Sequence, residues 1–225
     1  MTAPAASCDI DLAGERLLLL AAKAVYWPRQ RMLIVADIHF GKAASFRALG
    51  VPVPGGTTAA NLAALDALVA AHDIIHILFL GDFLHAKAAH APATLDTMLA
   101  WRRRHASLQL TVVRGNHDAH AGDPPRQLDI AMVDEPHAIA PFAFCHHPDL
   151  MAGDYILSGH VHPVCRVRSR WETATLPCFL VGQFRMVLPS FGAFTGGHAI
   201  VPQPGERVWL TTGDAVFALP ADTRR

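Results

Sequence analysis

At 225 residues, 52% of them hydrophobic and 17% charged, the chain is long enough to bury a sizeable core and leaves little room for disorder. Nineteen basic residues balance nineteen acidic ones, which argues against strong charge-driven binding to bulk nucleic acid. The N-terminus lacks a signal-peptide pattern and the apolar stretch 17–22 is too short to span a bilayer; with no C-x-x-C spacing or disulfide framework among Cys8, Cys145, Cys165 and Cys178, a reducing cytoplasm is expected.

In chain order, short strands are expected near 16–20 and 23–26, followed by an apolar run at 32–36. That run, 74–80 and 110–114 have the continuous apolar character of strands covered on both faces. A loop is marked by Pro52, Pro54, Gly55 and Gly56. Helical patterns follow at Thr57–Ala71, with Leu62, Leu65 and Val69 on one side, and at 92–105, where Pro92 suits a first turn. This alternation predicts a right-handed β-α-β-α-β unit with central parallel strands. The run Arg102, Arg103, Arg104 reads as a solvated face, as does the alternating set Arg166, Arg168, Arg170; a local basic patch is the other reading. After about residue 142 helix is scarce, and short strands are expected at 143–145, 155–158, 175–181, 184–189, 199–201 and 215–219. Gly182-Gln183 fits a hairpin turn, and Cys145 and Cys178 lie in apolar stretches that predict buried thiols. The second half reads as a mostly antiparallel or mixed sheet packed on the first, in one domain spanning 1–225.

Five short pieces end in residues that bind hard or borderline metals: Asp37 and His39 in A-D-I-H-F-G-K, Asp82 in F-L-G-D-F-L-H, Asn116, His117 and Asp118 in V-R-G-N-H-D, His146 and His147 in F-C-H-H-P-D, and His160 and His162 in L-S-G-H-V-H-P. Asp37, Asp82 and Asn116 stand at the C-terminal ends of apolar strands, the edge where loops of an open α/β sheet converge on ligands. Carboxylate, carboxamide and imidazole donors gathered there are what a two-metal hydrolytic centre requires. Alternation along a strand lets only one of His146 and His147 point inward.

This order of pieces resembles the calcineurin-like metallophosphoesterase superfamily. The resemblance implies a four-layer αββα sandwich, two mixed sheets flanked by helices. It also implies two divalent ions, one on Asp37, His39, Asp82 and His162, the other on Asp82, Asn116, His146 and His160, with Asp82 shared. The family pattern favours His146 over His147 as the ligand, leaving His147 to the outer shell. A carboxylate shared by two cations offsets their repulsion, and the ions lower the pKa of a bridging water to supply hydroxide for in-line attack on phosphorus. Mixed oxygen and nitrogen donors suit Mn(II) first, then Fe(II) or Zn(II). The family's histidine at the place of His117 faces the substrate and protonates or stabilises the leaving oxygen; Asp118 is expected to orient that imidazole. His85 stands where purple acid phosphatases carry a metal-binding tyrosine, so a ferric-tyrosinate centre is not expected and His85 is read as a substrate or outer-shell contact. His72, His76, His90, His105, His120, His137 and His198 match no motif and read as ordinary surface or satisfied core histidines.

The segments D-I-H-F-G-K-A-A-S-F-R, G-D-F-L-H-A and F-G-A-F-T-G-G look like the bacterial ligase-associated DNA damage response endonuclease group, often called PdeM. That likeness implies a DNA substrate and an association with a DNA ligase, a helicase and an exonuclease-like protein. Lys42 and Arg47 are placed to meet a flanking phosphate or are solvated charges, and Phe191 and Phe194 pack beneath the cleft. No inserted cap is visible: one helical pattern fills each interval between Asp37, Asp82 and Asn116. A small-molecule phosphoesterase is the alternative enzyme, and a non-catalytic scaffold the alternative class.

Overall fold

The computed structural model describes residues 6–53, 55–150, 153–168 and 173–220; Pro54 and Arg170 lie outside the described residues. The chain starts as an antiparallel meander of β1 (Ser7–Leu12), β2 (Glu15–Leu20), β3 (Ala24–Trp27) and β4 (Met32–Val35). It then turns parallel. Helices α1 (Lys42–Ala48) and α2 (Thr57–Ala71) lead to β5 (His76–Leu80), α3 (Pro92–Arg104) to β6 (Gln109–Val113), and α4 (Asn116–Ala121) to β7 (Ala131–Val133). β4, β5, β6 and β7 pair in parallel, completing a seven-stranded sheet in chain order.

The continuous apolar runs have the cause expected of them. Leu33, Val35, Ile77, Phe79, Leu110 and Val112 pack with Leu62, Leu65 and Leu68 of α2 and Met98 and Trp101 of α3. The alternate residues Met32, Ile34, Leu78, Leu80 and Val113 turn the other way. There they meet a second sheet, built from β8 (His137–Ile139), β9 (Phe142–Cys145), β10 (Tyr155–Ser158), β11 (Pro163–Arg168), β12 (Thr173–Val181), β13 (Arg185–Val187), β14 (His198–Ala199), β15 (Arg207–Thr211) and β16 (Val216–Ala218). Its main order is β14-β11-β12-β13-β10-β9-β8, with β15 on β12 and β16 on β15. Phe142, Phe144, Leu157, Phe179, Val181 and Met186 face the first sheet, and Trp27 meets Phe142 edge to face at 4.9 Å. Large rings carry most of the apolar area removed from water in such a core, and their edge-to-face contacts add to it. The architecture is thus a sandwich of two mixed sheets flanked by helices.

The hairpin at Gly182-Gln183 is present, closed by the Gly182 N–H donating to the Arg185 carbonyl at 2.8 Å. Cys145 and Cys178 are buried, as their surroundings predict. Two readings change. The segment of Lys42 and Arg47 is the helix α1, so the Asp37–Asp82 interval carries two helices where one was expected, with no cap among the described residues. Arg102 does not belong to a solvated face: it is buried, and its guanidinium donates to the Leu128 carbonyl and to Asp129. Its neighbour Arg104 pairs with Asp66 instead.

Parallel strands fix the site's position. Asp37, Asp82 and Asn116 follow the C-terminal ends of β4, β5 and β6, while His146 and His160 follow those of β9 and β10, which also pair in parallel. One edge of the sandwich therefore receives donors from both sheets.

Candidate metal centre

The backbone around these donors is unusual. Asp37, His39, Asp82, His160 and His162 all have φ between 50° and 69°, in the left-handed region that non-glycine residues seldom enter. Such strain persists only where surrounding structure holds it, and here it turns side chains back over the strand ends. Space is equally tight. A Cβ on Gly81 would lie 2.2 Å from His146 Nδ1, and one on Gly115 would lie 2.3 Å from the Asp82 amide nitrogen. The glycines of G-D and G-N-H-D let three loops close on one another.

The side chains converge in two groups. In the first, His39 Nε2 is 3.4 Å from His162 Nε2 and 3.6 Å from Asp82 Oδ2, and His162 Nε2 is 3.4 Å from Asp37 Oδ1. In the second, His146 Nε2 is 2.9 Å from Asn116 Oδ1, 3.0 Å from His160 Nδ1 and 3.5 Å from Asp82 Oδ1. Two donors each about 2.1 Å from one ion stand about 3.0–3.4 Å apart at octahedral or tetrahedral angles. The observed spacings match that geometry. Asp82 belongs to both groups through different oxygens. The donor set therefore fits a pair of divalent cations. Asp37, His39 and Asp82 are almost fully buried, and His146 fully.

Hydrogen bonds on the far side of two of the rings fix which nitrogen faces inward. His146 Nδ1 donates to the Leu80 carbonyl at 3.0 Å, and His162 Nδ1 to the Gly196 carbonyl at 3.1 Å. His39 Nδ1 faces His85 Nδ1 at 3.4 Å. Burial first, then Lys42 and the neighbouring imidazoles, push the His39 pKa far below its ordinary value. For His85 the same kinds of cause, burial foremost, lower it to about 4. Asp37 is held in turn by the His160 amide, at 2.9 Å from Oδ2.

His147 is tethered through Nδ1, 2.6 Å from Glu135 Oε1, and its ring packs on His160 at 4.5 Å, so that one of its ring nitrogens stays within 4.8 Å of ligand atoms of His146 and His160. Glu135 Oε2 also accepts the amides of His146 and His147. Burial raises the Glu135 carboxyl, but these hydrogen bonds outweigh it and the pKa is lowered overall. No motif marks Glu135, which reaches the site through the register of β8 on β9. Lys23 is a second residue without a signal. Its Nζ donates to the Phe191 carbonyl at 2.9 Å and lies 3.4 Å from that of Gly192, anchoring the loop whose Gly196 orients His162.

His117 is half-buried, its Nδ1 donating to the His85 carbonyl at 2.8 Å and its Nε2 lying 3.9 Å from Asp82 Oδ2. Asp118 does not orient that ring, contrary to the expectation from its adjacency. It is buried, with Oδ1 accepting the Leu84 amide and Oδ2 the Gly115 amide, both at 2.9 Å. Consecutive helical residues point in different directions, and α4 sends Asp118 into the protein while His117 faces the site. Burial lowers the Lys42 pKa, against the upward pull of the Asp82 and Asp37 charges. Arg47 lies exposed at the end of α1. Among the histidines outside the motifs, His76 meets Thr111, His90 the Ala121 carbonyl and His105 Asp66, all satisfied.

A sandwich with donors from both sheets meeting at one edge fits a metal-dependent hydrolase. Residues 30–146 match the model of the calcineurin-like phosphoesterase family, just over half of the chain, and the chain belongs to that family. It is a metal-dependent phosphoesterase, of a family that uses a binuclear metal centre. The match ends at His146, so the place of His160 and His162 rests on the distances above. The chain is also similar to the crystal structure of the nuclease MPE of Pseudomonas putida, with 46% identity, a TM-score of 0.85, and 95% of this chain and 100% of that one covered. No curated protein matches it. Among the described residues no helix is long and apolar enough to cross a membrane.

Proposed function

We propose that this chain is a two-metal phosphodiesterase that cuts DNA as an endonuclease, in a ligase-associated repair pathway of the cytoplasm. The observation that carries the two-metal reading is Asp82, whose Oδ2 faces His39 and whose Oδ1 faces His146. One ion is assigned to Asp37, His39, Asp82 and His162, the other to Asp82, Asn116, His146 and His160. Mixed oxygen and nitrogen donors favour Mn(II) over Mg(II) or Ca(II). When bound, such a pair supplies an activated water and neutralises charge on the phosphoryl oxygens.

The remaining steps belong to the chain itself. With Nδ1 committed to the His85 carbonyl, His117 keeps Nε2 for the substrate, and its protonated form donates to the leaving oxygen. Lys42 meets a phosphate oxygen from the first turn of α1. Asp118 secures the loop that presents His117 and Asn116. The absence of a cap among the described residues leaves the cleft open to a strand, and the likeness to a nuclease supports nucleic acid as substrate. Balanced net charge suits targeting by a partner, such as a ligase or helicase.

The test is the metal-free protein supplied with Mn(II), assayed on bis-p-nitrophenyl phosphate and on labelled single-stranded DNA in parallel. Cleavage of both supports the proposal. Turnover of the diester with intact DNA moves the assignment to a small-molecule phosphodiesterase or a partner-dependent nuclease.

A further inference from the structure

His117 stacks on His85, with centroids 4.6 Å and planes 25° apart, and the stack does not end there. On its outer side His85 stacks on Phe46 of α1, with centroids 6.1 Å apart and planes 30° apart, and Phe46 meets Phe194 edge to face at 5.7 Å. His117, His85, Phe46 and Phe194 thus form one row running outward from the metal donors. Core rings such as Phe142, Phe144 and Phe179 are fully buried, whereas Phe46 and Phe194 keep part of their surface in water. Beyond Phe46 the chain exposes Leu49 and Val51.

Both rings are held by devices of their own. α1 starts against Ala89, where a Cβ on Gly41 would lie 2.4 Å from the Ala89 Cα. The 191–197 loop is pinned by Lys23 at Phe191, by Asn61 Oδ1 accepting the Ala193 amide, and by the His162 contact to Gly196. Lys42 and Phe46 are four residues apart on α1 and so share a face. One short helix therefore offers a cation and an aromatic ring on one face, a turn apart.

We propose that Phe46 and Phe194 form a base-stacking subsite for the nucleotide next to the scissile phosphate, a deepening that rests on the polynucleotide reading above. A base sits one sugar away from its phosphate, and the ring pair lies outward of His117 by two ring contacts. Every base has a π-face, so the subsite holds a strand without selecting its sequence. Phe46 and Phe194 then separate nucleotide diesters from diesters that carry no base.

The test compares thymidine 5′-(p-nitrophenyl phosphate) with methyl p-nitrophenyl phosphate, using the Mn(II)-loaded protein and the variants Phe46→Leu, Phe194→Leu and Phe46→Tyr. The wild type prefers the thymidine ester. The ratio of kcat/KM between the esters falls about tenfold in each leucine variant, through KM, and Phe46→Tyr retains it. An unchanged ratio in the leucine variants, or no wild-type preference, overturns the subsite. Single-stranded DNA cleavage by the wild type is scored alongside. DNA cutting with an unchanged ratio rejects the subsite alone, whereas intact DNA together with no wild-type preference for the thymidine ester rejects the polynucleotide reading and the subsite with it.

Discussion

The ring of His117 lies nearly flat on that of His85, with centroids 4.6 Å and planes 25° apart. The His85 backbone carbonyl accepts the Nδ1 proton of the same ring, so His85 sets both the tilt and the tautomer of His117. Removing the His117 side chain leaves the seven proposed metal donors in place. His117→Ala is therefore expected to keep full metal content while turnover falls by roughly 10²–10⁴. The loss is greatest for diesters with alkoxide leaving groups and smallest for p-nitrophenolate, which needs no proton. Elemental analysis beside a leaving-group series checks this. Loss of metal would instead place His117 among the ligands.

Asp82 lies between the two donor groups, and Asp82→Asn tests whether it bridges them. The amide keeps the volume and an oxygen to accept the His117 amide hydrogen, as Asp82 Oδ1 does at 2.9 Å. The shared negative charge is gone. Turnover is expected to vanish and metal affinity to fall by more than the roughly 10–100-fold typical of outer-shell changes. Adding Mn(II) should raise the melting temperature of the wild type, because an ion that binds only the folded state stabilises it, and leave the variant unmoved. A variant that still gains stability from Mn(II) would show that the charge of Asp82 is dispensable for binding.

The gathering of Asp37, Asp82 and Asn116 at one edge is legible in the sequence because parallel strands covered on both faces read as unbroken apolar runs, and these residues follow where those runs end. Weaker elements left less trace. α1 has seven residues, begins at Gly41 without a capping side chain, and its K-A-A-S-F-R-A reads equally well as a loop. Arg166 and Arg168 are exposed on strand β11, so their reading as a solvated face holds, but alternating charge gives no sign of the strand that carries them. Glu135 and Lys23 act through sheet register and loop packing across 11 and 168 residues of chain, which no local motif encodes. Asp118 was assigned to His117 by adjacency, whereas helical geometry separates them.

That separation gives a third prediction. The Asp118 carboxylate accepts the amides of Leu84 and Gly115, tying the loop after β5 to the start of α4. In Asp118→Asn one acceptor becomes a donor facing a buried N–H. An unsatisfied buried group costs about 1–3 kcal/mol, or a melting temperature lower by roughly 3–10 °C at this chain length. The pH profile of the remaining activity should keep its shape. A shifted profile with unchanged stability would return Asp118 to the role of partner to His117.

Lys23 supplies a pH dependence whose sign is fixed by its surroundings. Burial lowers its pKa from 10.5 to about 8. Below about 8 the amine is charged in both folded and unfolded chains, and the cost of burying that charge is fully present. Between about 8 and 10.5 the unfolded chain holds the proton and the folded one does not, so stability rises with pH across that window. Buried thiols act oppositely: burial raises Cys145 to about 11 and Cys178 to about 12, so the unfolded chain ionises them first and stability falls. The Lys23 contribution is therefore read as a difference between the wild type and Lys23→Met, both stripped of metal. The wild type should gain on the variant as pH climbs from 8 towards 10, in melting temperature or denaturant midpoint. A constant difference across that range would mean that the folded protein keeps the amine charged, its carbonyl partners at Phe191 and Gly192 offsetting burial.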